Sequence, residues 1–527
     1  MKKSTGLPLL IGIALLAGPL AGCEVGPDYK TPEAAAPAAF KEAGGDWLPA
    51  KPQDAIDRGA WWEVYNDPIL NDLEKQIDIS NQNLKAADAA WRAAQAVVEE
   101  SRATLFPTID LGGNGTRTGG GSVHNNISTQ YNATATASWE PDLWGRIRHT
   151  IESDIANAQA SRADLAGARL SAQATLASDY FSLRAEDDLK KLLDTTAEND
   201  RKALEIVKNQ YNAGTVASAD VLNAQTQLES VEAQAINVGV LRAQLEHAIA
   251  VLTGKPPSQV TIATGSLGQD IPLTPPGVPS TLLERRPDVA SSERLVAAAN
   301  AQIGVATAAW YPDLTLSASY GYVGTALDHL IQGPNSLWSF GPQIAETIFD
   351  AGARSAKIEE TQATFDQTVA QYRQTVLTAF QQVEDQLVAL RVLAQQADAE
   401  NKVVADAHKA EELVLNQYKA GTVPYSSVLT AQNTTLSNEQ TALTVRENRF
   451  AASVSLIEAL GGGWNTSQLE GGVPPANPDT NTTPAATSPD QTTPATTGNA
   501  DKPADKGVDK TTAAKTAPAA AQDTNGI

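Results

Sequence analysis

The sequence predicts a mainly α-helical protein that also supplies four strands to a transmembrane β-barrel. Three observations carry this reading. A long proline-free stretch from about Arg146 to Val216 returns from about Arg354 to Val423. Each copy closes on the same turn, Asn209-Gln210-Tyr211-Asn212-Ala213-Gly214-Thr215-Val216 and, 207 residues on, Asn416-Gln417-Tyr418-Lys419-Ala420-Gly421-Thr422-Val423. Ahead of each copy lie two segments of about ten residues in which apolar and polar side chains alternate.

The repeat sets the architecture before any single element does. After each turn a matching tail resumes, Val221-Leu222-Asn223-Ala224-Gln225 and Val428-Leu429-Thr430-Ala431-Gln432. Each copy therefore reads as a long helix, a tight glycine turn and a long returning helix. In the second copy Val369, Val376, Val383, Leu390 and Ala397 recur at heptad spacing. Tyr372, Ala379 and Leu393 fall three positions after members of that series, with Gln386 as the exception. This is a coiled-coil seam. The first copy is looser, through Leu165, Ala168, Ala172, Leu176 and Leu183. At about 1.5 Å per residue each long helix spans on the order of 100 Å, a length that suits a rod or the wall of a tube.

Composition excludes several function classes. Acidic groups number 61 against 39 basic ones in 527 residues, a net charge of −22. Phosphate binding needs a basic surface, so nucleic acid is not expected as a partner. The one cysteine precludes an intrachain disulfide and a cysteine metal cluster. The five histidines, His124, His149, His247, His329 and His408, form no H-x-x-x-H or H-E-x-x-H pair, so no metal ligand set and no cofactor are expected.

In chain order, residues 1–22 read as a signal peptide: Lys2 and Lys3, a short apolar run from Leu9 to Leu16, then Leu20-Ala21-Gly22 before Cys23. The small residues and the sole thiol coincide as in a bacterial lipobox, which makes Cys23 the lipidation site and the mature N-terminus. Glu24, in place of an aspartate, favours the outer membrane. Residues 23–60 form an extended Pro/Ala-rich arm. The duplicated body covers 61–464, with the first repeat at about 61–255 and the second at about 281–464. Trp61 and Trp62 read as packing anchors. Asn66 or Asp67 caps the next helix, with Pro68 at its first position. Strands are expected at about 106–143 and 311–350, after Phe106-Pro107 and Tyr311-Pro312. Tyr131, Ala133, Ala135, Ala137 and Trp139 share one face; so do Leu314, Leu316, Ala318, Tyr320 and Tyr322; Trp338, Phe340, Ile344 and Ile348 continue the pattern. Gly119-Gly120-Gly121-Ser122 lacks the Gly-Lys-Ser/Thr of a phosphate cradle. Val260-Thr261-Ile262 reads as a short strand in the connector, and Pro287 opens another helix. From 465 to 527 the Thr/Pro/Ala-rich composition predicts disorder.

Four strands cannot enclose a conducting pore, and open sheet edges cannot face lipid. The chain must supply part of a barrel that copies of itself complete; three copies give twelve strands and six hairpins.

Cys23-Glu24-Val25-Gly26-Pro27-Asp28-Tyr29, Ser138-Trp139-Glu140-Pro141-Asp142-Leu143-Trp144-Gly145-Arg146, Leu282 to Val289, the two Tyr-x-Ala-Gly turns with their Ala-Gln tails, and Ala459 to Trp464 together resemble the TolC-like outer-membrane factor family, in its lipoprotein branch. The resemblance implies a homotrimer in the outer membrane, lipid-anchored and spanning, with a twelve-stranded barrel continued by a long coiled-coil α-barrel through the periplasm. It implies a passive duct without catalytic residues in a tripartite efflux pump, with a periplasmic adaptor and an inner-membrane transporter of the RND type as partners. The adaptor-docking turns would be Gly214, Thr215, Val216, Gly421, Thr422 and Val423. The periplasmic aperture would involve Gln417, Tyr418 and Thr430. Relatives place an arginine and a carboxylate where this chain has Gln417 and Thr430, so the charged parts of that latch are missing. The outer-membrane component of a type I protein secretion system is the alternative. A lipid-anchored enzyme finds no nucleophile elbow, and a coiled-coil linker needs no alternating strands. Cys23→Ala should abolish palmitate labelling of the mature protein, and labelling at the wild-type level would refute the lipobox reading.

Overall fold

The structure, a computed structural model, describes residues 24–34, 36–37, 39–42, 60–119, 127–272 and 285–469. Cys23, the signal peptide and the tail from residue 470 lie outside the described residues. Seven α-helices and four strands are present among the described residues. The helices are α1 (Pro68–Ser80), α2 (Gln82–Ala103), α3 (Arg146–Asn212), α4 (Ser218–Leu252), α5 (Pro287–Ala308), α6 (Ala353–Lys419) and α7 (Tyr425–Ala459). The strands are β1 (Thr108–Thr118), β2 (Ser128–Trp139), β3 (Asp313–Gly324) and β4 (Ser336–Ala345). The duplication extends to element lengths. α2 and α5 have 22 residues each, α3 and α6 have 67, and α4 and α7 have 35.

The strands form one antiparallel sheet in the order β1-β2-β3-β4. Their register aligns side chains into rows. Leu111, Ala135, Tyr320 and Trp338 form one row across the sheet, and Ile109, Ala137, Ala318 and Phe340 the next. The intervening row is Asp110, Thr136, Ser319 and Ser339. Because strand side chains alternate in face, one surface is apolar and the other is rich in Ser and Thr. Leu111, Trp338 and Phe340 are 85%, 76% and 70% exposed, so nothing among the described residues covers the apolar surface there. β4 ends at Ala345, and Thr347 lies beyond it with its carbonyl accepting from Arg354 Nη2 at 2.5 Å.

Each long helix starts on a left-handed glycine, Gly145 at φ 87° and Gly352 at φ 90°. A carboxylate caps each start. Asp142 accepts from the amides of Ile147 (3.2 Å) and Arg148 (2.9 Å), and Asp350 from those of Gly352 (3.0 Å) and Arg354 (3.2 Å). Both satisfy free N–H groups and complement the helix dipole. Trp144 stacks on Tyr311 at 4.8 Å and donates to the Pro312 carbonyl at 2.9 Å, locking the corner between β2 and α3 to the one between α5 and β3.

Along the middle of the helices, α1 lays Leu70, Leu73 and Ile77 into a core with Trp61, Tyr180, Phe181, Leu183, Phe450 and Val454. Asp67 caps α1 through the amides of Ile69 (2.9 Å) and Leu70 (3.2 Å) and accepts from Tyr180 Oη at 2.6 Å. The seam of α6 buries Tyr372, Val376, Ala379 and Val383 against Val289, Val296 and Phe40 of the arm. Arg286 is structural: it donates to the Ala459 carbonyl at 2.9 Å and to Gln382 at 2.8 Å.

The expected strand at Val260-Thr261-Ile262 does not form. Its backbone groups are taken by side chains instead. Arg242 Nη2 donates to the Ile262 carbonyl at 2.8 Å, and the Ile262 amide donates to Glu246 at 3.1 Å. Asp187 anchors this network, accepting from Arg184 at 3.0 Å, Arg242 at 2.7 Å and the Gly265 amide at 3.0 Å. Asp187→Ala strands Arg184, whose side chain is 3% exposed, without its carboxylate. The loss should be about 3–5 kcal/mol, read as a lower thermal midpoint in detergent; an unchanged midpoint would show the network to be marginal.

Candidate functional site

The far end of the molecule from the sheet is formed by the two helical turns, which share one geometry. The Gly214 amide donates to Tyr211 O at 2.8 Å and the Thr215 amide to Gln210 O at 3.0 Å; the Gly421 amide donates to Tyr418 O at 2.9 Å and the Thr422 amide to Gln417 O at 3.0 Å. These bonds close the helix ends as glycine C-caps. Both glycines sit at φ 75° with open space where a Cβ would be, so the left-handed backbone alone demands glycine there. The threonine hydroxyls repeat the amide bonds, Thr215 Oγ1 to Gln210 O at 2.9 Å and Thr422 Oγ1 to Gln417 O at 3.0 Å. Gly214, Thr215, Gly421 and Thr422 are exposed, while Val216 and Val423 pack against the tip core.

That core joins the two hairpins. Leu193, Leu204 and Val207 of α3 and Ala224, Leu228 and Val231 of α4 meet Tyr418 of α6 and Tyr425, Val428 and Leu436 of α7. Tyr418 Oη donates to Gln210 Oε1 at 2.5 Å, and its ring lies 5.3 Å from that of Tyr425. Burial, with Asp220 near, pushes the Tyr418 phenol pKa up, so the link stays neutral. Gln227 Nε2 donates to Asn433 Oδ1 at 2.9 Å, a second neutral link between α4 and α7. Of the three aperture residues named from sequence, Tyr418 is therefore buried between the hairpins, whereas Gln417 and Thr430 are exposed. The Thr430 hydroxyl is held by the Ser426 carbonyl of its own helix at 3.0 Å.

Sequence reasoning does not single out Gln210, Tyr425 or Asp200. Gln210 carries a signal, as the repeat-related counterpart of Gln417. Asp200 carries none, since one aspartate on a helix face resembles any other. It is 3% exposed, its Oδ2 has no partner, and burial pushes its pKa up to about 6, with Glu411 adding and a Gln227 hydrogen bond opposing.

The chain matches the Outer membrane efflux protein family over residues 73–255 and 278–462. It is 31% identical over 468 residues to the Toluene efflux pump outer membrane protein TtgC of Pseudomonas putida, covering 86% of this chain and 96% of that protein. It is 26% identical over 461 residues to the Cation efflux system protein CusC of Escherichia coli, covering 87% of this chain and 98% of that one. Among solved structures, the outer-membrane channel OprN superposes with a TM-score of 0.78 at 29% identity, over 84% of this chain and all of that chain.

The Asp200 environment gives the tip a pH dependence. Its folded-state pKa lies above the ordinary carboxylate value of about 4, so packing favours the protonated form. Stability from this group is greatest below about pH 4 and declines as pH rises through about 6. Asp200→Asn should remove the decline and slow amide exchange in the neighbouring turns of α3 at pH 7. Exchange equal to that of the wild type would show that Asp200 carries no such strain.

Proposed function

The chain belongs to the family of outer membrane efflux proteins, and from that membership we propose that it is the passive exit duct of a tripartite pump, without chemistry of its own. The observation that carries this reading is the sheet. Its apolar rows suit lipid and its Ser/Thr rows suit a watery lumen, while both of its edges stay unpaired among the described residues. Closure by three copies gives twelve strands, and the exposed Leu222, Ile236, Val240 and Leu241 on α4 are offered to a neighbouring copy in the helical wall. α4 is also the one described helix long and apolar enough to cross a membrane by length and composition. Its pairing with α3 in a hairpin supports a place in the wall instead. The toluene and cation of the relatives' names differ too much for one shared cargo site, which supports cargo selection by the inner-membrane transporter.

In this reading the turns at Gly214-Thr215-Val216 and Gly421-Thr422-Val423 dock on the periplasmic adaptor, because their Gly-Thr pairs are exposed, rigidly capped and repeated. The duct should conduct ions in planar bilayers. Gly421→Pro should keep that conductance while impairing export in cells that supply the adaptor and transporter. Loss of conductance and export together would move the defect to assembly, and cross-links from residue 422 that never reach an adaptor would place docking elsewhere.

The aperture, on this proposal, is held by neutral hydrogen bonds. These are worth about 1 kcal/mol each, against roughly 1.5–3 for charge-assisted ones, so the tip opens readily and has no tight site for multivalent cations. Thr430→Asp should introduce or strengthen block by trivalent cations applied from the periplasmic side. A wild-type channel already blocked at low micromolar concentration, and unchanged by the substitution, would place the gate on other residues.

A further inference from the structure

Where the N-terminal arm meets the start of α3, Glu24 of the arm converges on His149 and Glu152, which lie three residues apart on the helix. His149 is buried, with its side chain 8% exposed. Its ring is wedged between two glycines: a Cβ on Gly304 would lie 2.4 Å from His149 Cδ2, and one on Gly26 would lie 3.0 Å from Nε2. The slot fixes the ring. Nε2 faces the Val25 carbonyl at 3.1 Å and must carry a proton to donate there. Nδ1 then points at two carboxylates, Glu152 Oε2 at 2.9 Å and Glu24 Oε1 at 3.6 Å. A neutral imidazole would turn its lone pair onto those anions, so the site calls for a cation.

We propose that Glu24, His149 and Glu152 bind a divalent transition-metal ion of the zinc class, which fastens the arm to the start of α3. The donor set of one imidazole and two carboxylates is chemically suited to zinc. The second ring nitrogen donating to a backbone carbonyl is the usual way a metal-bound histidine is oriented. The three donor atoms lie within 4.8 Å of one another. Tetrahedral coordination at bonds of about 2.1 Å needs separations near 3.4 Å. The shift is small for Glu24 and Glu152, whose side chains are 40% and 43% exposed. Arg148 leaves the site usable, because its Nη1 contacts the other oxygen of Glu24, Oε2, at 3.5 Å. The donors border a cavity of about 520 Å³ that also has Asp28, Arg294 and Asn300 in its wall, giving an ion a route in and room for a water ligand. Two carboxylates face Nδ1, which suits a positive ion there. The histidine spacing in the sequence could not show this site, since Glu24 lies far from His149 along the chain.

Full-length protein purified in detergent, stripped with a chelator and desalted, would be titrated with Zn²⁺ by calorimetry and with Co²⁺ by visible absorption at neutral pH. One ion per chain is expected, at least tenfold weaker in both His149→Gln and Glu152→Gln, with the cobalt band lost in each. Glu152 is partly exposed, so its substitution reports on the site even where His149→Gln disturbs folding. Absence of saturable zinc binding would overturn the proposal and leave a proton as the cation. Binding unchanged by either substitution would do so as well, by assigning the metal to other surface carboxylates.

Discussion

A strand edge in hydrocarbon leaves backbone N–H and C=O groups without partners, at a cost of several kcal/mol each. β1 and β4 are two such edges, and no strand among the described residues pairs with their outer sides. The rest of the structure follows from resolving that constraint by association. Edge joins edge, the four-stranded sheet becomes an arc of a barrel, and the apolar rows through Leu111 and Ile109 become a continuous lipid-facing band. The helices follow the arc. Gly145 and Gly352 turn the chain from strand to helix, with Asp142 and Asp350 capping both helices, so the sheet passes directly into the long wall.

The two ends of that wall are built from different chemistry. At the corners, aromatic stacking of Trp144 on Tyr311 and charged caps fix the backbone. At the tip, the hairpins are joined by apolar packing and by neutral bonds such as Tyr418 to Gln210. A buried carboxylate, Asp200, lies beside the same core with its Oδ2 unpartnered. On the proposed function, a collar fixed by stacking and charged caps and a tip joined by neutral bonds fit a tube whose membrane end stays sealed against lipid and whose other end opens. The charged network of Asp187, Arg184 and Arg242 sits between them and binds the connector between the repeats to the first hairpin.

Much of this is legible in the sequence because it repeats. The hairpins are visible from the Asn-Gln-Tyr and Ala-Gly-Thr-Val segments, the seam of α6 from its heptads, and the sheet faces from alternation in β2 and β3. β1 is less clear, since Gly112, Gly113 and Gly115 carry no side chain to alternate, and its pairing with β2 supplies what its own pattern lacks. The strand expected at Val260 to Ile262 fails for a reason no local pattern holds: its hydrogen-bond partners are Arg242 and Glu246, brought in by the fold. The tip shows the same limit. Tyr418 is identifiable from its motif, but its burial against Tyr425 and its bond to Gln210 are tertiary facts. The convergence of Glu24 on His149 and Glu152 is likewise out of reach of any spacing rule.

One chain, on this account, is a third of a closed barrel, completed only by identical copies. Native mass spectrometry of the detergent-extracted protein tests it most directly. The account predicts three chains per particle, persisting when the protein is diluted. A stable, conducting particle of one chain, or of a number other than three, would contradict it.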